Sequence, residues 1–127
     1  MKLSKNLTKN IDVINKILPI KKSFDIIGRD LTFGNTKGYL VFIDGFAKDD
    51  IMLWLLENLQ NLPAKDTNIN DLKHWISSHI GYIEVETFDN YDTIRDSVLS
   101  GAVGLILENQ SEGIIIDART YPARGPE

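Results

Sequence analysis

The densest group of chemically capable side chains lies near the end of the sequence, where Ile114-Ile115-Ile116 runs into Asp117, Arg119, Tyr121, Pro122 and Arg124. An apolar run that empties into charge at a strand end is where binding groups are commonly placed. Asp117 can accept hydrogen bonds from backbone donors at that strand end, or pair with Arg119 or Arg124 through charge-assisted bonds. Tyr121-Pro122 imposes extended backbone and a flat aromatic face. Two roles follow. The block staples the exit loop to the domain, or Arg119, Tyr121 and Arg124 present a docking surface, since arginine and tyrosine dominate interfaces more often than most residues. The two are compatible.

Other candidate groups do not assemble into a reaction centre. Asp44-Gly45 ends an apolar stretch, and such an aspartate serves either catalysis or, more simply, a turn. Glu84 and Glu86 alternate onto one face of a strand with Asp89 just beyond, a pattern that would hold a cation or keep an exposed sheet face soluble. His74 and His79 are five apart, about 140° around a helix, so they do not face one metal together. Ser23, Ser97 and Ser100 lack a G-x-S-x-G elbow and fit turns or caps. The chain has neither G-x-x-x-x-G-K-[ST] nor G-x-G-x-x-G, and it has no cysteine, so phosphate cradles, disulfides and thiolate chemistry drop out. With no nucleophile, base, metal set or cofactor motif, the residues point away from an enzyme.

The elements that would carry these groups are legible from periodicity. Leu3, Leu7, Ile11, Ile14 and Leu18 recur at helical spacing, predicting a helix over Ser4 to Leu18 that packs on the domain or on a neighbour. Phe24 to Phe33 and Tyr39 to Ile43 read as strands joined by Gly34 to Gly38, an antiparallel hairpin. Asp49 to Asn61 reads as a helix whose apolar residues, Trp54 among them, nearly encircle it, so it is buried on more than one side. Asn70 to Ile80 is a further helix with Leu72, Trp75, Ile76 and His79 on one side. Tyr82 to Thr87 alternates as a half-buried strand. Asp89 or Asn90 caps a helix over Tyr91 to Ser100 that stops at Gly101. Val103 to Leu107 and Gly113 to Ala118 close the chain as a hairpin turning through Glu108 to Glu112.

These elements predict a single α/β domain, about five strands in a mixed sheet covered by about four helices. The length of 127 residues suits one core. A net charge of −4 gives no general attraction to nucleic acid or anionic lipid. The longest apolar window, Ile51 to Leu56, is far too short to span a bilayer. Residues 1–22 form an N-terminal helix, packing or linker, and residues 23–127 the α/β body. Arg124-Gly125-Pro126-Glu127 reads as a loop toward something further on.

Three blocks carry a family resemblance: Ser23 to Asp30, Phe42 to Asp50, and Ile116 to Gly125. Together they resemble the spore germination protein A family, the A subunits of nutrient germinant receptors and a sporulation paralogue, from about Ser23 to the end. Gly45-Phe46 followed by Lys48-Asp49 leans toward the paralogue. The resemblance implies a core-facing cytosolic domain of a spore inner-membrane protein in spore-forming Firmicutes, anchored by a membrane region beyond this sequence. It implies an oligomeric, ion-conducting complex active in germination, with other subunits or subdomains, including copies of itself, as partners. It implies no catalytic residue and no cofactor. The alternative, from a different class, is a small-ligand module that senses a germinant or ion near Asp44, Glu84 or Arg119.

Overall fold

The structure is a computed structural model that describes residues 2–18, 26–33, 36–43, 57–58, 69–79 and 84–117. In chain order the elements are α1 (Leu7–Ile17), β1 (Ile26–Phe33), β2 (Thr36–Ile43), α2 (Ile69–His79), β3 (Glu84–Phe88), α3 (Tyr91–Leu99), β4 (Val103–Leu107) and β5 (Gly113–Asp117). The strands form one sheet in the order β1-β2-β4-β5-β3.

Five strands agree with the sequence reading, but the sheet is antiparallel throughout rather than mixed. The reason lies in the crossover. β3, α3 and β4 make a strand-helix-strand unit whose two strands run the same way, as that order suggests, yet β5 turns back from β4 and slots between them. Every hydrogen-bonded neighbour therefore runs opposite. Three helices cover the sheet among the described residues. Of the helix expected over Asp49 to Asn61 only Glu57 and Asn58 are described, and both are helical. Trp54 lies outside the described residues.

The first hairpin is longer than its apolar pattern. Phe33 pairs with Thr36 and Ile26 with Ile43, so Thr36, Lys37 and Gly38 belong to β2 rather than to the connection. Lys37 is fixed there by the residue just after β4: its N–H donates to the Glu108 carboxylate at 2.8 Å, and its carbonyl accepts from the Glu108 N–H at 2.9 Å. These partners are remote in sequence, which is why local periodicity misses them.

Both sheet faces are buried, which explains the unbroken apolar runs in β4 and β5. On one face Tyr39, Val41, Ile106 and Ile115 meet α1 and α3 through Ile14, Leu18, Tyr91, Ile94 and Val98. On the other, α2 lies over β3 and β5 with Leu72 and Ile76 fully buried. Glycine sets the closeness of the first packing. A Cβ on Gly104 would lie 2.6 Å from the tip of Ile94, so α3 rests directly on the β4 backbone. The ring of Tyr39 occupies the space above Gly28 in the same way.

Candidate functional site

Of the expected exit block the structure describes the first member. Asp117 ends β5, half-buried, directly across the strand pair from Glu84 of β3. Arg119, Tyr121, Pro122 and Arg124 lie outside the described residues, as do Asp44 and Gly45. The site that can be built therefore begins at Asp117 and extends along β3.

Register decides its composition. Partners facing each other across an antiparallel pair share a sheet face, so Glu84 and Glu86 lie on the face of Asp117 and Ile115. That face also carries α3, whose end contributes Asp96, Ser97 and Ser100. A cleft of about 230 Å³ opens between them, with Ile115 and Ala102 in its lining. Four carboxylates line it, from Glu84, Glu86, Asp96 and Asp117, and among the described residues no basic side chain does. The C-terminal end of α3 adds its negative dipole. The cleft is therefore electrostatically suited to lysine, arginine or another cationic group, and unsuited to nucleotide or carboxylate ligands. Among the described residues no group of three or more His, Cys, Asp or Glu side chains is arranged to hold a metal ion.

Ser97 and Ser100 reach the cleft through the way α3 stops. Ser100 is the C-cap and Gly101 follows at φ 106. The N–H of Gly101 donates to Val98 O and that of Ala102 to Ser97 O, each at 2.9 Å, a Schellman closure that requires the left-handed glycine. At the other end of α3, Asn90 is the cap, its side chain accepting from Thr93 N–H at 2.9 Å. Asp89, the other candidate cap, instead bonds Lys2 at 2.7 Å. Its carboxyl is held below the usual range by that bond first and by the Asn90 amide second.

A second polar centre has no precursor among the expected site residues. Asn10 is fully buried on the inner side of α1. Its Oδ1 accepts from the Tyr91 hydroxyl at 2.6 Å and from Ser4 N–H at 3.0 Å, while its Nδ2 donates to Ser4 O at 2.8 Å. The N-terminal residues thus clasp two distant turns: Leu3 N–H donates to Asp89 O, and Lys5 O accepts from Asn109 N–H. Burial pushes the Tyr91 hydroxyl above its ordinary value. The available signal was a polar residue interrupting an inner stripe, four before Ile14 and three after Leu7.

His74 is exposed on α2, and the side chain of His79 lies outside the described residues. Among the described residues no helix is long and apolar enough to cross a membrane.

Comparison with known proteins places this architecture. The chain is 26% identical, over all 127 of its residues, to stage V sporulation protein AF of Bacillus subtilis (strain 168), and spans 26% of that protein. Among solved structures, the N-terminal domain of the A subunit of the Bacillus megaterium spore germinant receptor GerK3 superimposes with a TM-score of 0.74 at 22% identity. The match covers 99% of this chain and 49% of that one, and at this identity it establishes the fold. The chain thus spans about a quarter of the curated relative and about half of the solved domain. The profile of the family described as Bacillus/Clostridium GerA spore germination protein matches residues 12–127, a span that takes in all five strands of the sheet. The chain belongs to the GerA family of spore germination proteins.

Proposed function

We propose that this chain is a non-enzymatic assembly and signalling domain of a spore inner-membrane germination protein. It faces the cytosolic core of the spore and takes part in an oligomeric ion-conducting complex during germination. The family membership over residues 12–127 is the observation that carries this reading. In it, residues 1–127 are the first unit of a longer membrane protein, and other subunits or subdomains of the complex are its partners. Asp117 anchors the end of β5, and Arg119, Tyr121 and Arg124 meet a neighbouring unit, with Trp54 contributing to the same assembly. Asp44 and Gly45 serve as a structural turn.

At Glu84, the one of its three places among the described residues, the small-ligand alternative has less support from the geometry. Pockets for drug-sized ligands are typically about 300–1,000 Å³ and mainly apolar. The cleft beside Glu84 is about 230 Å³ and lined by carboxylates. The test is the full-length protein purified from spore membranes with and without this domain. The assembly reading expects loss of the domain to reduce both the recovered complex and ion release on germination. An unchanged complex, together with a melting shift of the isolated domain by amino acids, inosine or calcium, would favour the ligand reading. A ligand at one hundred times its dissociation constant would add about 2.7 kcal/mol.

A further inference from the structure

The charge of this chain is segregated along its sequence and across its surface. Residues 1–22 hold six lysines and one acidic residue, Asp12, whereas residues 23–127 hold seventeen acidic residues against eight basic ones. In the fold Lys5, Lys9 and Lys16 of that set lie on one side of a helical layer beside the acidic side chains of α3, because α1 and α3 cover the same sheet face in mutual contact. The outward side of α1 carries Lys9 and Lys16, exposed and seven residues apart, with Lys5 just before the helix. Asp12 is the one acidic group in that row. The outward side of α3 carries Asp92 and Asp96, both exposed and partly satisfied by Arg95 at 3.3 and 3.0 Å. Beside them Leu99 is 43% exposed, the one exposed large hydrophobic side chain among the described residues. Val13 and Ile17 remain half-buried on α1.

We infer that the lysine row of α1 and the α3 surface carrying Asp92, Asp96 and Leu99 form a self-complementary face that docks a second copy of this chain. The inference rests on the assembly reading above and names one contact within it. Charge complementarity selects the occupant. Two such layers related by a two-fold axis running along the helices place each α1 over the partner's α3, so both charge matches form at once. The same operation brings Leu99 toward the apolar shoulder of Val13 and Ile17. A bilayer of anionic lipid would attract the lysine row but would meet Asp92 and Asp96 in the same layer. That side-by-side arrangement favours a partner with the same alternation.

The experiment uses the chain of residues 1–127 in sedimentation velocity at low and high salt. Wild type is expected to self-associate at low ionic strength and to dissociate as salt screens the exposed charges. Lys9→Glu with Lys16→Glu, and separately Asp92→Lys with Asp96→Lys, are each expected to weaken association about tenfold or more in a monomer that circular dichroism shows to be folded. Mixing the two variants restores a heterodimer, because every facing pair is again opposite in sign. A wild type that stays monomeric at every concentration and salt overturns the proposal, as does a mixture no better associated than its components. Binding to phosphatidylglycerol vesicles that is lost in the lysine variant, without self-association, overturns it in favour of a lipid surface. In each such case a full-length complex that still depends on this domain leaves the assembly reading standing.

Discussion

The side chain of Asn10 does what no apolar residue in the α1 stripe can do. It satisfies both backbone groups of Ser4 and fixes the Tyr91 hydroxyl inside the core. Tyr91→Phe removes one hydrogen bond, and equilibrium denaturation should show a loss of about 1 kcal/mol. Asn10→Ala leaves three polar groups without their partner and should cost more, about 2–3 kcal/mol or above, by the same measurement. Gly104→Ala pushes a methyl into Ile94 and should destabilise by about 1–3 kcal/mol, whereas an exposed alanine elsewhere in a strand would not. The tyrosines also give the fold an alkaline limit. Burial raises the hydroxyls of Tyr39 and Tyr91, with Asp30 adding to the effect at Tyr39. A raised folded-state value means that their contribution is fully present below the ordinary tyrosine value of about 10 and is lost as pH rises through the folded value. Denaturation midpoints should therefore fall above about pH 10, and the fall should shrink in Tyr91→Phe. An unchanged alkaline profile in that variant would show that its hydroxyl is not buried in solution.

At the scale of elements, α1 is a clasp as well as a helix, held at its start by the Lys2–Asp89 pair and by the Asn10 network. The Asp89 carboxyl titrates below its ordinary value, so its contribution is present above about pH 4 and is lost as pH falls through the folded value. Amide exchange at Leu3, corrected for intrinsic rates, should stay slow above pH 4 and accelerate below it. Lys2→Ala should show the faster rate at every pH. Most elements were legible because each carries its own local signal. Leu7 to Leu18, Glu84 to Phe88 and Tyr91 to Leu99 announce themselves by period, and Gly101 marks a helix end through its backbone alone. What was not legible depends on residues far apart in the chain. The insertion of β5 between β3 and β4 is invisible to a strand-helix-strand pattern, so the sheet was expected to be mixed. The extension of β2 to Thr36 relies on Glu108, and the choice of Asn90 over Asp89 as cap relies on Lys2. In the candidate site, alternation alone puts Glu84 and Glu86 on one face, but only register shows that Asp117 and Asp96 share it.

At the scale of the molecule, the sheet of the described residues ends at β1 and β3, and both edges are poorly suited to pairing with themselves. A symmetric antiparallel pair of β1 strands keeps its faces aligned only when a residue near the middle meets its own copy. That would set Arg29 against Arg29 or Asp30 against Asp30. Centring β3 on Glu86 has the same consequence. Extension of the sheet between copies through these two strands is thus disfavoured, which leaves the α1 and α3 layer as a surface for assembly among the described residues. The family match, the acidic cleft and these protected edges all support contacts with other protein units. Whether this domain works by contact with neighbouring units is decided by the double substitution Arg119→Ala, Arg124→Ala. It should be made in parallel in the isolated chain and in the full-length protein in spores. The expected result is an unchanged melting temperature for the isolated chain, together with less cross-linked complex and slower germination in the spores. Unimpaired complex and germination from a protein present at normal levels would contradict it.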